Sequence, residues 1–262
     1  MDKEHYALIT GASRGIGRAI ATVLASRGHN LALHSLPGEG LSNLSDSLMK
    51  EYGIKVLSFE TDLTEPGGPG KLRDSVKSSG ISINILVNNA GTGIEGPFES
   101  CENHIDNIIF LNIRALTMLT CYFLPELKKT DSYILNLSSF GIYVPTPYKS
   151  IYLASKSYIF YFTRALDAEL KGTSVRTCVF VPSAVRTNDK VLERIDRAGW
   201  LSKASSISPE EVASKGIKAM FKGKKVYMPG NLTRFIFAIG NLLPQGVIQA
   251  TTRNIFRREY PV

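Results

Sequence analysis

Cysteine is scarce in this chain. Cys101, Cys121 and Cys178 are odd in number, far apart and without a CxxC pair, which excludes a disulfide framework and a clustered zinc site. They read as buried or incidental thiols, and a reducing cytoplasmic location is expected. Histidine is equally sparse: His5, His29, His34 and His104 show no metal-ligand spacing, so no metal is expected. Membrane-spanning runs are expected neither at the opening nor late in the chain. The opening MDKEHYALIT passes from charge into a short strand-like run, and no secretory h-region is expected there. The late run from Phe235 is interrupted by Gly240 and Asn241 and stops at Pro244, too short to span a bilayer. No repeat, low-complexity tract or linker divides the 262 residues, 44% of them hydrophobic, and one domain, 1–262, is expected.

Acidic residues are the minority, 23 against 31 Lys and Arg, for a net charge of +8. The basic residues are mostly scattered, without the basic and aromatic stripe of a nucleic-acid surface, so no nucleic-acid partner is expected. Residues 231–262 form an apolar and basic extension in which Arg234, Phe235, Phe237, Leu242, Leu243, Ile255, Phe256, Arg257 and Arg258 mix. A weak membrane-surface contact is one reading of that mixture. Covering the core or a subunit contact is the other, and the favoured one.

What the chain does have is strands alternating with helices. Residues 6–10 form an apolar run that ends in Thr10-Gly11-Ala12-Ser13-Arg14-Gly15-Ile16-Gly17, and 18–27 are apolar at helical spacing. Strand, glycine turn and helix N-terminus suit a pyrophosphate, because glycines let the backbone approach and the helix end presents N–H groups. A second strand is predicted at 30–35. An NAD-specific site usually places a carboxylate at that strand end; here Ser35, Leu36 and Pro37 stand there, and Glu39 comes late. Arg14 in the glycine loop suits a 2′-phosphate. NADP is therefore expected, with NAD possible; the competing picture has Arg14 solvated and Glu39 reaching back.

Further strands are predicted at 55–60, 83–87, 133–137, 174–181 and 225–228. Asp62, after the third, would touch an adenine or cap a helix. Asn88, Asn89, Ala90 and Gly91 end the fourth, where small residues suit cofactor approach and amides suit pinning the sheet. Residues 98–128 are helical in period, with Asn112 in mid-helix, where asparagine is unfavourable. It either makes structural hydrogen bonds or orders a water near the site. The fifth strand leads into Ser138 and Ser139, a loop with Pro145 and Pro147, and then Tyr152 and Lys156. Four residues apart, these share a helix face. The ammonium favours the phenolate and would lower a phenol pKa that starts near 10. Of the eleven tyrosines, only Tyr152 has a lysine four residues later. The sixth strand leads to Pro182, Ser183, Val185 and Thr187; 188–206 would cap a substrate cleft. This order predicts an α/β fold, a doubly wound parallel β-sheet with helices on both faces.

Together TGASRGIG, NNAG, the mid-helix Asn112, LSS followed by YLASK, and PSAVRT resemble the short-chain dehydrogenase/reductase family, over about residues 6–187. The resemblance implies a Rossmann-type enzyme acting on CH–OH groups, transferring hydride between NADPH and a ketone or secondary alcohol. It implies Gly11, Ser13, Arg14, Gly15, Ile16 and Gly17 at the phosphates and Ser35 at the adenosine ribose. Asp62 and Leu63 would meet the adenine, Asn88, Ala90 and Gly91 the ribose side, and Pro182, Val185 and Thr187 the nicotinamide. Tyr152 would be the acid, Lys156 its modulator and ribose ligand, and Asn112 the holder of a water. Ser139, thirteen residues before the tyrosine, would bind the carbonyl in preference to Ser138. The chain departs from the family in having Pro182-Ser183 for Pro-Gly and Leu36 for an arginine often found in NADP-using members. Loop likeness implies a hydrophobic substrate, hydroxysteroid-like or 3-ketoacyl-like, and the family's habit implies a homodimer or homotetramer. The alternatives are a non-catalytic dinucleotide-binding sensor or scaffold, and a reductase of a small polar carbonyl.

Overall fold

A computed structural model of the chain describes residues 4–144, 146–183, 185–186, 206–230 and Gly246. Thr187, Pro145, the cleft cap at 188–205 and, apart from Gly246, the extension at 231–262 lie outside the described residues. So does the membrane-surface reading that rests on that extension.

The elements run β1 (His5–Thr10), α1 (Gly15–Ala25), β2 (Asn30–Ser35), α2 (Leu41–Tyr52), β3 (Val56–Glu60), α3 (Gly68–Ser78) and β4 (Ser82–Asn88). Then come α4 (Glu102–Ile108), α5 (Leu116–Leu127), β5 (Ser132–Leu137), α6 (Ser150–Glu169), β6 (Val175–Phe180), α7 (Pro209–Phe221) and β7 (Val226–Tyr227). All strand pairs are parallel, and the order is β3-β2-β1-β4-β5-β6-β7. The expected doubly wound sheet is therefore present. Its order reverses between β1 and β4, and a ligand crevice opens at the strand C-termini of such a switch point.

Strand alternation builds the two core layers. Ala7, Ile9, Leu31, Leu33, Leu135 and Phe180 face α1, α2 and α7, while Leu8, Ala32, Leu86 and Ile134 face α3, α5 and α6. Central strands buried on both faces read as continuous apolar runs, as these do. The β1–β4 register slips by one residue between Tyr6 and Ala7; beyond the slip, strand alternation puts Asn88 on the same face as Leu86.

There Asn88 pins the sheet. Its Nδ2 donates to Asn136 Oδ1 at 2.8 Å and to Thr120 Oγ1 at 3.0 Å, and Asn136 Nδ2 donates to Thr163 Oγ1 at 2.9 Å. Asn136→Ala would leave buried partners unsatisfied. We expect a loss of about 2–3 kcal/mol, read as a lower urea midpoint at unchanged m-value.

The long helix predicted at 98–128 is interrupted. A 3₁₀ turn at Phe98–Cys101 precedes α4, and Ile109–Ala115 is π-helical before α5 resumes. Such π segments occur often at functional sites, and Asn112 sits inside this one. Phe98–Leu127 is long and apolar enough by composition to cross a membrane. Here Leu119, Phe123 and Leu127 are buried against the sheet, as in the core helix of a globular domain.

Candidate active site

The glycine turn follows β1 directly. Gly11 and Gly15 have φ of +64° and +56°, which favours glycine. A Cβ on Gly17 would lie 2.0 Å from Gly11 O and 2.5 Å from Asn89 Nδ2, so α1 packs on the turn only because that side chain is absent. Asn89 then staples the turn, its Nδ2 donating to Thr10 O and Gly11 O, each at 2.9 Å. Thr10 Oγ1 accepts from the backbone N–H of Asn89 and Ala90 at 3.1 and 3.0 Å. It is Asn89, next to the predicted cofactor residue Asn88, that holds this turn.

The start of α1 has no side-chain cap and no acid in its first turn. Its N–H groups and dipole are left for an anion. Beside it, Ser13 Oγ donates to Glu39 Oε2 at 2.6 Å, and Arg14 Nη2 lies 3.1 Å from Glu39 Oε1. Glu39 thus reaches back to the glycine turn, where it pairs with Arg14.

Four other predicted cofactor residues place their side chains elsewhere. Ser35 is buried and its hydroxyl donates to Leu36 O at 2.9 Å. Leu63 is 1% exposed within the α3-side core, and Val185 is buried in the opposite layer. Asn88, as described, points into the sheet interior. Asp62 makes a turn, its Oδ1 accepting from Thr64 N at 2.8 Å and Thr64 Oγ1 at 2.7 Å. Pro182 O accepts from Phe140 N at 2.9 Å, tying the nicotinamide-side segment to the β5 end.

That tie places the serines. Ser138 N donates to Phe180 O at 2.8 Å, so strand-like pairing runs past β5 and holds Ser139 extended at φ −152° and ψ 145°. Ser138 Oγ is buried and donates to Lys156 O at 2.8 Å, which leaves it a structural role. Ser139 is half-buried, with Oγ accepting from Gly141 N at a long 3.3 Å.

Tyr152 and Lys156 share one face of α6, with Lys156 Nζ 5.9 Å from the tyrosine ring centre. Nζ donates to Leu137 O at 2.9 Å. Burial pushes the ammonium down to about 8, because a charge in an apolar surround loses its hydration. Gly93 and Gly91 admit this pair. A Cβ on Gly93 would sit 2.9 Å from the Tyr152 ring, and one on Gly91 3.3 Å from Lys156 Nζ and 3.1 Å from Asn112 Oδ1.

Asn112 is fully buried. Its Nδ2 donates to Thr92 O at 2.8 Å and Ser155 Oγ at 2.9 Å, and its Oδ1 accepts from Thr92 N at 2.9 Å. It clamps the loop after β4 to α6, and Ser155 passes the restraint to Tyr152 O at 2.6 Å. Gly96 N also donates to Tyr148 O at 3.0 Å; Tyr148 has φ +63°, a strained geometry of the kind that collects at functional sites. A cavity of about 630 Å³ between α1 and α7 borders Gly15 and is lined by Arg18, Arg186 and Pro209. Tyr152 and Lys156 do not line it.

A parallel switch-point sheet with a glycine turn after β1 and a Tyr/Lys pair on the helix after β5 defines a dinucleotide-binding α/β protein. Residues 5–196 match the family model described as short chain dehydrogenase. The chain belongs to that family. It is 33% identical over 190 residues to a very-long-chain 3-oxoacyl-CoA reductase of Anas platyrhynchos, covering 70% of this chain and 60% of the relative. To the protein of that name from Scheffersomyces stipitis it is 34% identical over 186 residues, covering 66% and 53%. The chain thus matches little more than half the length of these curated relatives. Among solved structures, a short-chain dehydrogenase of Sphingobium yanoikuyae in complex with NADPH superposes with a TM-score of 0.77 at 27% identity, covering 93% of this chain and 95% of the other. A bulky-bulky ketone specific alcohol dehydrogenase of Comamonas testosteroni gives 0.77 at 25%, covering 93% of each chain.

Proposed function

We propose that this chain is an NADP-dependent oxidoreductase that moves hydride between NADPH and a ketone or the matching secondary alcohol. The observation that carries the reading is Tyr152 above buried Lys156 at the switch-point edge, beside a glycine turn with no room for a side chain at Gly17. That turn and the uncapped start of α1 fit a dinucleotide pyrophosphate.

The nicotinamide, when bound, supplies or takes the hydride. In reduction, Tyr152 gives its hydroxyl proton to the carbonyl oxygen. Lys156 favours the phenolate left behind and reaches toward the nicotinamide ribose, while Ser139 donates to the same carbonyl oxygen as it gains charge. Asn112 holds the Gly91–Gly96 loop and α6 in register. Both its amide hydrogens are engaged within the protein. Arg14 would meet the 2′-phosphate.

The preferred substrate is a hydrophobic ketone. The names of the curated relatives favour a 3-oxoacyl thioester over a steroid, and the bulky ketone named for one structural neighbour agrees with a large substrate. Pairing of two chains through α6 is supported by its exposed Tyr158 and Tyr161, and by exposed Phe110 on the π segment that packs against α6. The test is NADPH consumption with 3-oxoacyl thioesters of increasing chain length, steroid ketones, small aldehydes and sugars. Turnover that rises with acyl length is expected. Turnover confined to small polar carbonyls overturns the substrate, and NADPH binding without turnover on any class favours the sensor.

A further inference from the structure

We infer that the ion pair between Glu95 and Lys149 is a latch that positions Tyr152. It ties the loop after β4 to the entry of α6, and so fixes where the tyrosine hydroxyl stands relative to the reacting carbonyl. The inference rests on the oxidoreductase reading above and adds two positioning residues to it.

Lys149 Nζ lies 2.5 Å from Glu95 Oε1, and the two side chains are 16% and 24% exposed. Among the described ion pairs, this one alone has both side chains under a quarter exposed. Exposed pairs contribute little, whereas a partly buried pair is screened much less by water and salt. One position along each segment, Gly96 N donates to Tyr148 O at 3.0 Å. Residue 95 thus meets 149 and residue 96 meets 148, two successive contacts where the segments cross. Tyr148 has the one positive φ, +63°, of any described residue other than glycine. Such a conformation persists only where its surroundings hold it.

The crossing lies beside the tyrosine. Gly93, two residues before Glu95, is where the loop touches the Tyr152 ring, since a Cβ there would lie 2.9 Å from it. On the near side of that contact, Thr92 is held to Asn112 through both its N–H and its carbonyl. On the far side stands the latch. Lys149 is the N-cap of α6, and its carbonyl accepts from Leu153 N at 2.9 Å, so tying Lys149 ties the turn that carries Tyr152. The loop is therefore fastened on both sides of the ring. Without the ion pair, a single backbone hydrogen bond would hold the far side. A displacement of about 1 Å at a reacting group can cost about 100-fold in rate.

Steady-state kinetics of the full chain test this, with NADPH and whichever carbonyl compound of the panel above turns over fastest. Glu95→Gln and Lys149→Met are each expected to lower kcat about tenfold, with KM and NADPH affinity within about twofold of wild type. Either variant suffices where the other folds poorly. The reversed pair, Glu95→Lys with Lys149→Glu, is expected to recover most of the lost kcat, which a general loosening of the fold would not do. Amide exchange of the chain without substrate gives a second readout: exchange at Gly96 N–H is expected to rise about tenfold in the single variants and to fall back in the reversed pair. Unchanged kcat in the single variants overturns the inference, as does a rise in KM with kcat intact, or a reversed pair no better than the single variants. Unchanged Gly96 exchange beside normal wild-type turnover overturns the latch alone. A wild-type chain that reduces no carbonyl overturns the oxidoreductase reading, and the positioning role with it.

Discussion

Tyr152→Phe is expected to cut NADPH-dependent turnover of an accepted ketone about 1000-fold, with cofactor affinity and Tm nearly unchanged. The phenylalanine ring keeps the contact with Gly93, where a Cβ would lie 2.9 Å from the tyrosine ring. Only the hydroxyl goes, and with it the proton donor. A positioned general acid contributes about 10²- to 10⁴-fold, which sets the size of the loss. Single-turnover kinetics with saturating NADPH, beside a titration of NADPH, would separate chemistry from binding. Near-normal turnover in the folded variant would remove Tyr152 from the chemistry and with it the mechanism proposed here.

Lys156→Met should stabilise the protein while abolishing most of its activity, about 100-fold or more. The ammonium is buried and its folded-state pKa falls from 10.5 to about 8. The unfolded chain therefore holds the proton more tightly between about pH 8 and 10.5. Stability rises with pH wherever the unfolded state binds more protons. Burying the charge thus costs most below pH 8, on the order of 3 kcal/mol, and the cost fades as pH climbs through that window. Part of it is offset by the 2.9 Å hydrogen bond from Nζ to Leu137 O. At pH 7 methionine should raise the urea midpoint, by about 1–2 kcal/mol once that lost bond is counted. At pH 10 most of the advantage should be gone. A lysine variant that is less stable at pH 7, with no change in the difference at pH 10, would show that the buried charge is not the controlling term. The same charge is what the mechanism needs beside a phenolate, so function holds here a group that stability alone would discard.

Sequence alone determined the alternation of strand and helix, the glycine turn, the Tyr152/Lys156 pair and the family. Each depends on near neighbours: the alternation of Leu8 and Ile9, a four-residue helical offset, glycines where the backbone turns. Local sterics and periodicity suffice for these.

Tertiary structure alone gave the members of each adjacent pair different partners. Ser138 and Ser139 are chemically alike, and the pairing of Ser138 N with Phe180 O, with its hydroxyl on Lys156 O, separates them. Asn88 and Asn89 part because the first, at the end of β4, points inward to Asn136, while the second, beyond the strand, reaches the glycine turn. The π segment that carries Asn112 to Thr92 and Ser155 has no signature in helical period. Glu39 meets Ser13 and Arg14 across more than twenty positions of chain. A side chain's partners are set by strand register and by contacts between residues distant in sequence, and neither is written in the order of near neighbours.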